Sequence, residues 1–310
     1  MRLVVGSRGS KLALWQAGWV QETLGKTMPG LEIEIQVIRT QGDEAVNIPF
    51  DQLPGKGFFV KEIEEALLAR RIDLAVHSMK DLPDSFPPGL SLAAITERAD
   101  PRDALVTTDG RGLDDLQPGA RVGTGSPRRA AQLLSHRPDL TIEPLRGNVD
   151  TRVRHLLDGR YDAVVLAVAG LTRLGLDVAR VPLPVEVCTP AVGQGALGIE
   201  VRGDHPQAVQ AARTLQDEPT AAAVTAERSF LSALGGGCRV PIAGFARLQD
   251  GQLHLMGVVA RADGTALIRD ELRGDAARPE ELGQGLGRKI LDQGGGALLQ
   301  EDGAGPGGAT

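Results

Sequence analysis

Aromatic side chains are scarce in this chain: two Trp, one Tyr and six Phe make up 3% of 310 residues. Its cores must therefore be aliphatic, built from Leu, Val, Ile and Ala. Cysteine is scarcer still. Cys188 and Cys238 are the only two, too few for a disulfide framework or a cysteine zinc site. The five histidines show no metal-ligand spacing. There is no dinucleotide fingerprint and no internal repeat. No apolar run approaches the length of a transmembrane helix. The opening run Met1-Arg2-Leu3-Val4-Val5-Gly6 is too short for a signal peptide. A net charge of −6 argues against a general nucleic-acid binder. The expectation is a cytoplasmic protein that engages no membrane, nucleic acid or metal.

Lysine is also rare. Only six of the 34 basic residues are Lys, so 28 are Arg. Arginine offers a planar fork suited to carboxylates and phosphates. Codon bias in a GC-rich genome gives the same count, so position has to decide between the two.

The chain is long enough for two or three domains, and 42% of it is hydrophobic. Its first two-thirds alternates strand-like and helix-like segments. Residues 3–5 read as a buried strand. Ser10 can cap a helix through Leu12, Leu14, Trp15, Val20 and Leu24. Residues 31–38 alternate as a strand, 58–71 have helical period, and 72–76 are strand again. This βαβα order implies an α/β fold with a mostly parallel sheet and helices on both faces. Asp100-Pro101-Arg102-Asp103 reads as a break between domains. A second α/β stretch follows, with strands at 121–123, 141–145 and 163–168 and helices at 128–135 and 150–157. Then come a strand at 197–201 and helices near 206–215 and 219–234. After Val240, two antiparallel strands (253–259, 265–272) and an amphipathic helix (280–291) imply an α+β end domain. The Gly/Ala/Pro-rich tail 303–310 reads as disordered.

The most informative stretch is Leu234-Gly235-Gly236-Gly237-Cys238-Arg239-Val240-Pro241. Three glycines clear the approach to one thiol, and the adjacent cation favours the thiolate. The competing reading is a glycine C-cap followed by a packing cysteine. Cys188, before Thr189-Pro190, reads as structural.

Four further segments fall where α/β folds place ligands. His77-Ser78-Met79-Lys80-Asp81-Leu82-Pro83 follows a strand and offers a cation beside a carboxylate; otherwise it is a surface turn. Ser7-Arg8-Gly9-Ser10 opens the first helix and makes an anion site or a simple N-cap. Thr124-Gly125-Ser126-Pro127-Arg128-Arg129 repeats that arrangement. Leu145-Arg146-Gly147-Asn148 repeats it again, with Arg152 one turn on. Arginine beside Gly, Ser or Asn at three strand–helix junctions points to a polyanion site. Arg137 and Arg154 fit a solvated helix face better. Gly55-Lys56-Gly57-Phe58-Phe59 lacks P-loop spacing and reads as a lid or an ordinary loop.

These motifs, with Val168-Ala169-Gly170-Leu171 and Pro190–Gly195, occur in an order that closely resembles the hydroxymethylbilane synthase (porphobilinogen deaminase) family, to about residue 300. The resemblance implies a transferase of porphyrin biosynthesis that joins four porphobilinogen molecules into a linear tetrapyrrole and releases ammonia. Each porphobilinogen loses its amino group to give an electrophilic azafulvene. A thiolate or the free carbon of a growing pyrrole chain attacks it. The family carries a dipyrromethane cofactor on a cysteine thioether, and Cys238 is the matching position. The aspartate that faces the cationic pyrrole matches Asp81. Family anion-binding positions map to Arg8, Ser10, Lys80, Thr124, Ser126, Arg128, Arg129, Arg146 and Arg152, with Arg173 a looser match. Ser78, Asn148 and Gln194 lie in the shared motifs and join this binding set, and Lys80 joins Asp81 as catalytic. Lys56 and Phe59 would lie on an active-site loop.

The implied architecture is two periplasmic-binding-protein-like lobes plus a C-terminal α+β domain with an antiparallel sheet. The first domain would span 1–99 and reclaim 196–216, the second 100–195 and the third 217–310. The chain would be a monomer. Two other classes stay open on the residues alone. A two-lobed anion-binding protein explains the arginines but has no need of Cys238 or Asp81. A cysteine hydrolase explains Cys238 but lacks a partner histidine near the motifs.

Overall fold

A computed structural model describes residues 1–40, 60–235 and 240–301. The chain opens with β1 (Arg2–Ser7), α1 (Lys11–Thr27), β2 (Glu32–Val37), α2 (Lys61–Leu68), β3 (Leu74–Ser78), a 3₁₀ turn (Met79–Asp81) and β4 (Leu90–Ile95). There follow β5 (Asp103–Val106), β6 (Arg121–Gly123), α3 (Pro127–His136), β7 (Thr141–Glu143), α4 (Val149–Leu157), β8 (Ala163–Ala167), α5 (Val168–Arg173) and β9 (Arg180–Pro182). Then come β10 (Leu197–Arg202), α6 (Pro206–Arg213), α7 (Glu218–Ala233), β11 (Ile242–Gln249), β12 (Gln252–Ala260), β13 (Leu267–Asp275), α8 (Pro279–Asp292) and α9 (Gly295–Glu301). No described helix is long and apolar enough to cross a membrane.

These elements form two compact units. One comprises Met1–Asp100, Ala169–Leu176 and Gln194–Ala221; the other comprises Pro101–Val168, Asp177–Gly193 and Ala222–Thr310. The first is built on a five-stranded sheet in the order β2-β1-β3-β10-β4. The second holds a sheet of order β7-β6-β8-β5-β9 and a separate three-stranded one, β11-β12-β13. The two large sheets follow one plan, which is the expected pair of periplasmic-binding-protein-like lobes. In each, four strands run one way and the fourth in order runs against them: β10 is antiparallel to β3 and β4, and β5 to β8 and β9. The mostly parallel expectation therefore needs one exception per sheet. Both exceptions are strands that the chain inserts on entering the lobe.

Helices cover both faces of the first sheet. One face packs Leu3, Val5, Leu74, Val76 and Ile199 under Ala17, Val20 and Leu24 of α1 and Ala208 and Ala211 of α6. The other packs Ala75 and Ile72 against Ile63, Ala66 and Leu67 of α2. Helix α1 starts as expected: Ser10 Oγ accepts from the Ala13 N–H at 3.3 Å. Its buried stripe is Gln16, Ala17, Val20 and Leu24, while Leu14 and Trp15 are exposed. The C-terminal sheet is antiparallel throughout, and Phe230 of α7 and Leu286 of α8 fill its core with Leu253 and Leu255. Helices α7 and α8 approach closely because Gly283 and Gly287 face α7. A Cβ on Gly283 would overlap the Ala226 carbonyl oxygen, and one on Gly287 would lie 2.5 Å from Ala233 Cβ.

Candidate active site

In the first unit β3 runs two residues further than its periodicity predicts, so His77 and Ser78 belong to the strand. The chain then makes one 3₁₀ turn, Met79-Lys80-Asp81. Met79 anchors it: its side chain is buried and its N–H donates to Ala196 O at 3.0 Å. The fit beneath is close, since a Cβ on Gly198 would come within 2.6 Å of Met79 Sδ. A tightly seated turn is a fixed platform for the two residues it carries. Lys80 Nζ donates to Oε1 of the buried Gln194 at 3.3 Å. Asp81 is exposed, and its carboxylate makes no hydrogen bond or ion pair with a described residue. Ser78 Oγ accepts from Gln16 Nε2 at 2.9 Å, which ties the end of β3 to α1.

The same unit holds Arg8 half-buried in the loop before α1, with the Ser10 hydroxyl engaged as the helix cap. Arg173, at the end of α5, donates from Nη2 to Gly195 O at 2.7 Å and lies 5.7 Å from the centre of the Trp15 ring. Burial pulls its pKa down to about 10, with no carboxylate among the described residues to offset the loss. A partly desolvated guanidinium without an acid is suited to an incoming anion. Gly195 has φ +95, and a Cβ there would meet Ala99 O at 2.5 Å, so this position demands glycine.

In the second unit the loop between β6 and α3 folds on itself. Thr124 Oγ1 accepts from the Ser126 N–H at 3.2 Å, and a Cβ on Gly125 would press on Leu145 O at 2.7 Å. The next loop turns at Gly147, φ +99, and Arg152 Nε closes it on Gly147 O at 2.7 Å. Arg146 is half-buried, and Asn148 stands exposed at the start of α4.

Arg128 and Arg129 are placed differently. They are 6% and 5% exposed and converge on Asp103, itself fully buried at the start of β5. Arg128 Nη2 lies 2.7 Å from Asp103 Oδ2, and Arg129 Nη2 2.6 Å from Oδ1. Arg128 also donates to Thr189 O, and Arg129 to Val165 O. Leucine at either position would take from a buried carboxylate one of its two cationic partners. Both arginines are therefore bound up with the fold, beyond the anion-binding role that the family resemblance implies for them. Asp103 escaped sequence reading because Asp100–Asp103 looked like a polar break. Arg137 is corrected too: it is no solvated face residue, but bridges Asp139 and the carbonyls of Leu113 and Leu116. Arg154 is exposed as expected.

Cys188 is buried beside this cluster, its thiol 3.5 Å from Asp103 Oδ2. Burial, then the Asp103 charge, push it up to about 12, which makes it inert. Cys238, Lys56 and Phe59 lie outside the described residues.

Comparison with known proteins covers nearly the whole chain. The family described as "Porphobilinogen deaminase, dipyromethane cofactor binding domain" matches residues 3–210, and "Porphobilinogen deaminase, C-terminal domain" matches 221–292. A porphobilinogen deaminase of Pelobacter propionicus is 50% identical over 302 residues, 97% of each chain. One of Roseiflexus sp. is 51% identical over 298 residues, 96% of this chain and 98% of that one. A solved substrate-binding protein of an amino acid ABC transporter covers 69% of this chain and 91% of its own. Its TM-score of 0.35 and 16% identity are too low to add to the strand orders. With both halves of one family matched in order and half of all residues shared with its members, the chain belongs to the porphobilinogen deaminase family.

Proposed function

We propose that this chain condenses porphobilinogen as its family does, through Asp81 and Lys80, on a dipyrromethane primer attached to Cys238. The observation that carries this reading is the exposed carboxylate of Asp81, unpaired among the described residues, on a turn pinned by Met79. A carboxylate held still and left without a partner is preorganised to stabilise a cation. Asp81 accepts hydrogen bonds from pyrrole N–H groups and balances the positive charge that develops as the amine departs as ammonia. Lys80, steadied by Gln194, pairs with a substrate carboxylate.

The donor set suits the primer, whose pyrroles bear carboxylates. In the first unit Arg173 is a desolvated cation with no carboxylate against it among the described residues, and Arg8, Ser10 and Ser78 lie where strands end or helices start; in the second, Arg146 and Arg152 lie in or beside loops that carry Thr124, Ser126 and Asn148. Arginine forks hold carboxylates in pairs of hydrogen bonds. When bound, the primer supplies a free pyrrole carbon as nucleophile. Arg128 and Arg129 join this set as part of the Asp103 cluster, which adds one net positive charge to the buried side of the loop. The separate sheet and core of the C-terminal region support the three-domain division at 1–99 with 196–216, 100–195 and 217–310. The family resemblance supports a cytoplasmic monomer with Lys56 and Phe59 on the active-site loop.

The test is intact mass followed by peptide mapping. The purified protein should be heavier than its sequence by one fixed organic adduct, on the peptide holding Cys238 and not on that holding Cys188. The adduct should survive thiol reductants, because a thioether has no sulfur–sulfur bond to exchange. Protein that makes the tetrapyrrole with Cys238 unmodified would remove the anchor from this reading.

A further inference from the structure

Beneath the catalytic turn lies a group of charges that the reaction does not use. Glu200 pairs with Ala75 in the β3–β10 register and lies diagonal to His77, so the three residues share one face. That face is the one covered by α2, and Glu64 of α2 is buried against it. Glu200 and His77 are buried as well, with His77 Nε2 2.9 Å from Glu200 Oε2. The other oxygen of Glu200, Oε1, is buried without a hydrogen-bond partner among the described residues, and so is Oε1 of Glu64. Two neighbouring carboxylates with bare, dehydrated oxygens would each lose water and gain nothing in return. A single proton between them removes both deficits, because a carboxylic acid donates where a carboxylate accepts.

We propose that Glu64 and Glu200 share one proton, with Glu64 the donor, Glu200 the acceptor and His77 on the far oxygen, and that this triad positions the Lys80–Asp81 turn. It binds α2, β10 and β3 together one residue before Ser78 leads into the turn. All three are buried, and they act through β3.

Burial, and then the charge of Glu200, push the Glu64 carboxyl up to about 6, while His77 pulls it down. A carboxyl whose pKa rises on folding contributes most below its unfolded value. That contribution is lost as pH climbs through the folded value, here from about 4.5 to about 6. Among the described residues, the other charges on the strands packed against α2 are few or committed. Four strands pack on it. β4 carries no titratable residue, and β1 carries only Arg2, which is paired with Glu34. On β10, Arg202 donates to the carbonyls of Leu67 and Ile72 and lies beside Asp73 and Asp204. On α2 itself Lys61 and Glu65 are exposed and Glu62 is half-buried.

The proposal is tested on the full-length, primer-loaded protein with Glu64→Gln, Glu64→Leu and Glu65→Gln. Infrared spectra from about pH 5 to about pH 8 should show one carboxylic-acid carbonyl band titrating near pH 6. It should be absent in Glu64→Gln and retained in Glu65→Gln. An unchanged band in Glu64→Gln, or none in the parent protein, overturns the proton assignment. Gln offers an N–H donor to Glu200 at every pH; Leu offers none. Glu64→Gln should therefore keep kcat, and its ratio to the parent should rise as pH climbs through 6. Glu64→Leu should lose about tenfold in kcat with little change in KM, the scale of one hydrogen bond to a charged group. Equal kcat in Leu and Gln variants overturns the positioning role. The kinetic arm rests on Asp81 being catalytic and the infrared arm does not, so the two readings fail separately.

Discussion

Asp103→Asn should be among the most damaging single-atom changes in the second unit. The substitution keeps the size of the side chain and one acceptor oxygen, but removes the charge and puts an N–H₂ group where an arginine now donates. Asp103 is fully buried and takes donors from Arg128 at 2.7 Å and from Arg129 at 2.6 and 3.1 Å. Removing one partner of a buried pair costs about 3–5 kcal/mol, because the survivors stay dehydrated and uncompensated. Retention of one oxygen argues for the low end, about 3 kcal/mol. For a unit of 150–250 residues each kcal/mol moves the melting temperature about 2–4 °C, so calorimetry should record a drop of about 6–12 °C. Asp109→Asn, which breaks the exposed pair with Arg111, is the control and should not shift the transition. Arg128→Leu should destabilise in the same sense, and combining it with Asp103→Asn should cost less than the sum of the two, since both break one network. If Asp103→Asn melts with the parent protein, the burial of this cluster is not what holds β5 to α3 and the argument fails.

Asp81→Asn should fold and melt normally yet lose about 100- to 1000-fold in kcat, the usual cost of one well-placed electrostatic group; near-normal turnover would take Asp81 out of the reaction. Thiol titration separates the two cysteines. The native protein should react at neither, with Cys188 buried and pushed up to about 12 and Cys238 blocked, and the unfolded protein should titrate one thiol, whereas two would mean an unmodified Cys238.

Much of this molecule is legible in its sequence because its elements carry clean local signals. Ser10 caps α1, Pro127 opens α3 and the apolar run at 163–167 is a strand buried along most of its length, each near where periodicity places it. Strands β4, β5, β9 and β11 were not legible. β5 is four residues long and begins with a buried Asp, a pattern that reads as a break until its two arginine partners are known. β9 is three residues long and ends in Pro182. The return of β10 to the first sheet cannot be read from local pattern at all, because it is a pairing over more than a hundred residues. At the site, loop chemistry marked Asp81, Lys80 and the arginines. It could not sort them: Arg128 and Arg146 both fall at strand–helix junctions, but one is committed to the interior and the other is half-buried in a loop. His77, Glu64 and Glu200 are each unremarkable alone, and only the sheet register together with the packing of α2 on that face brings them together.

The antiparallel place of β10 has a consequence for how the protein is made. β1 to β4 are all synthesised before residue 100, but β4 has no neighbour in its sheet except β10, and β3 has one edge open until β10 arrives. Some hundred further residues must be translated first, about 5–20 s at ordinary elongation rates. For that interval the nascent first lobe presents an unpaired β3 edge and a strand with nothing to pair with, the kind of surface that recruits other chains. The lobe that begins the chain thus cannot close until every strand of the second five-stranded sheet has been made, and its quality depends on how well that open edge is sheltered in the meantime.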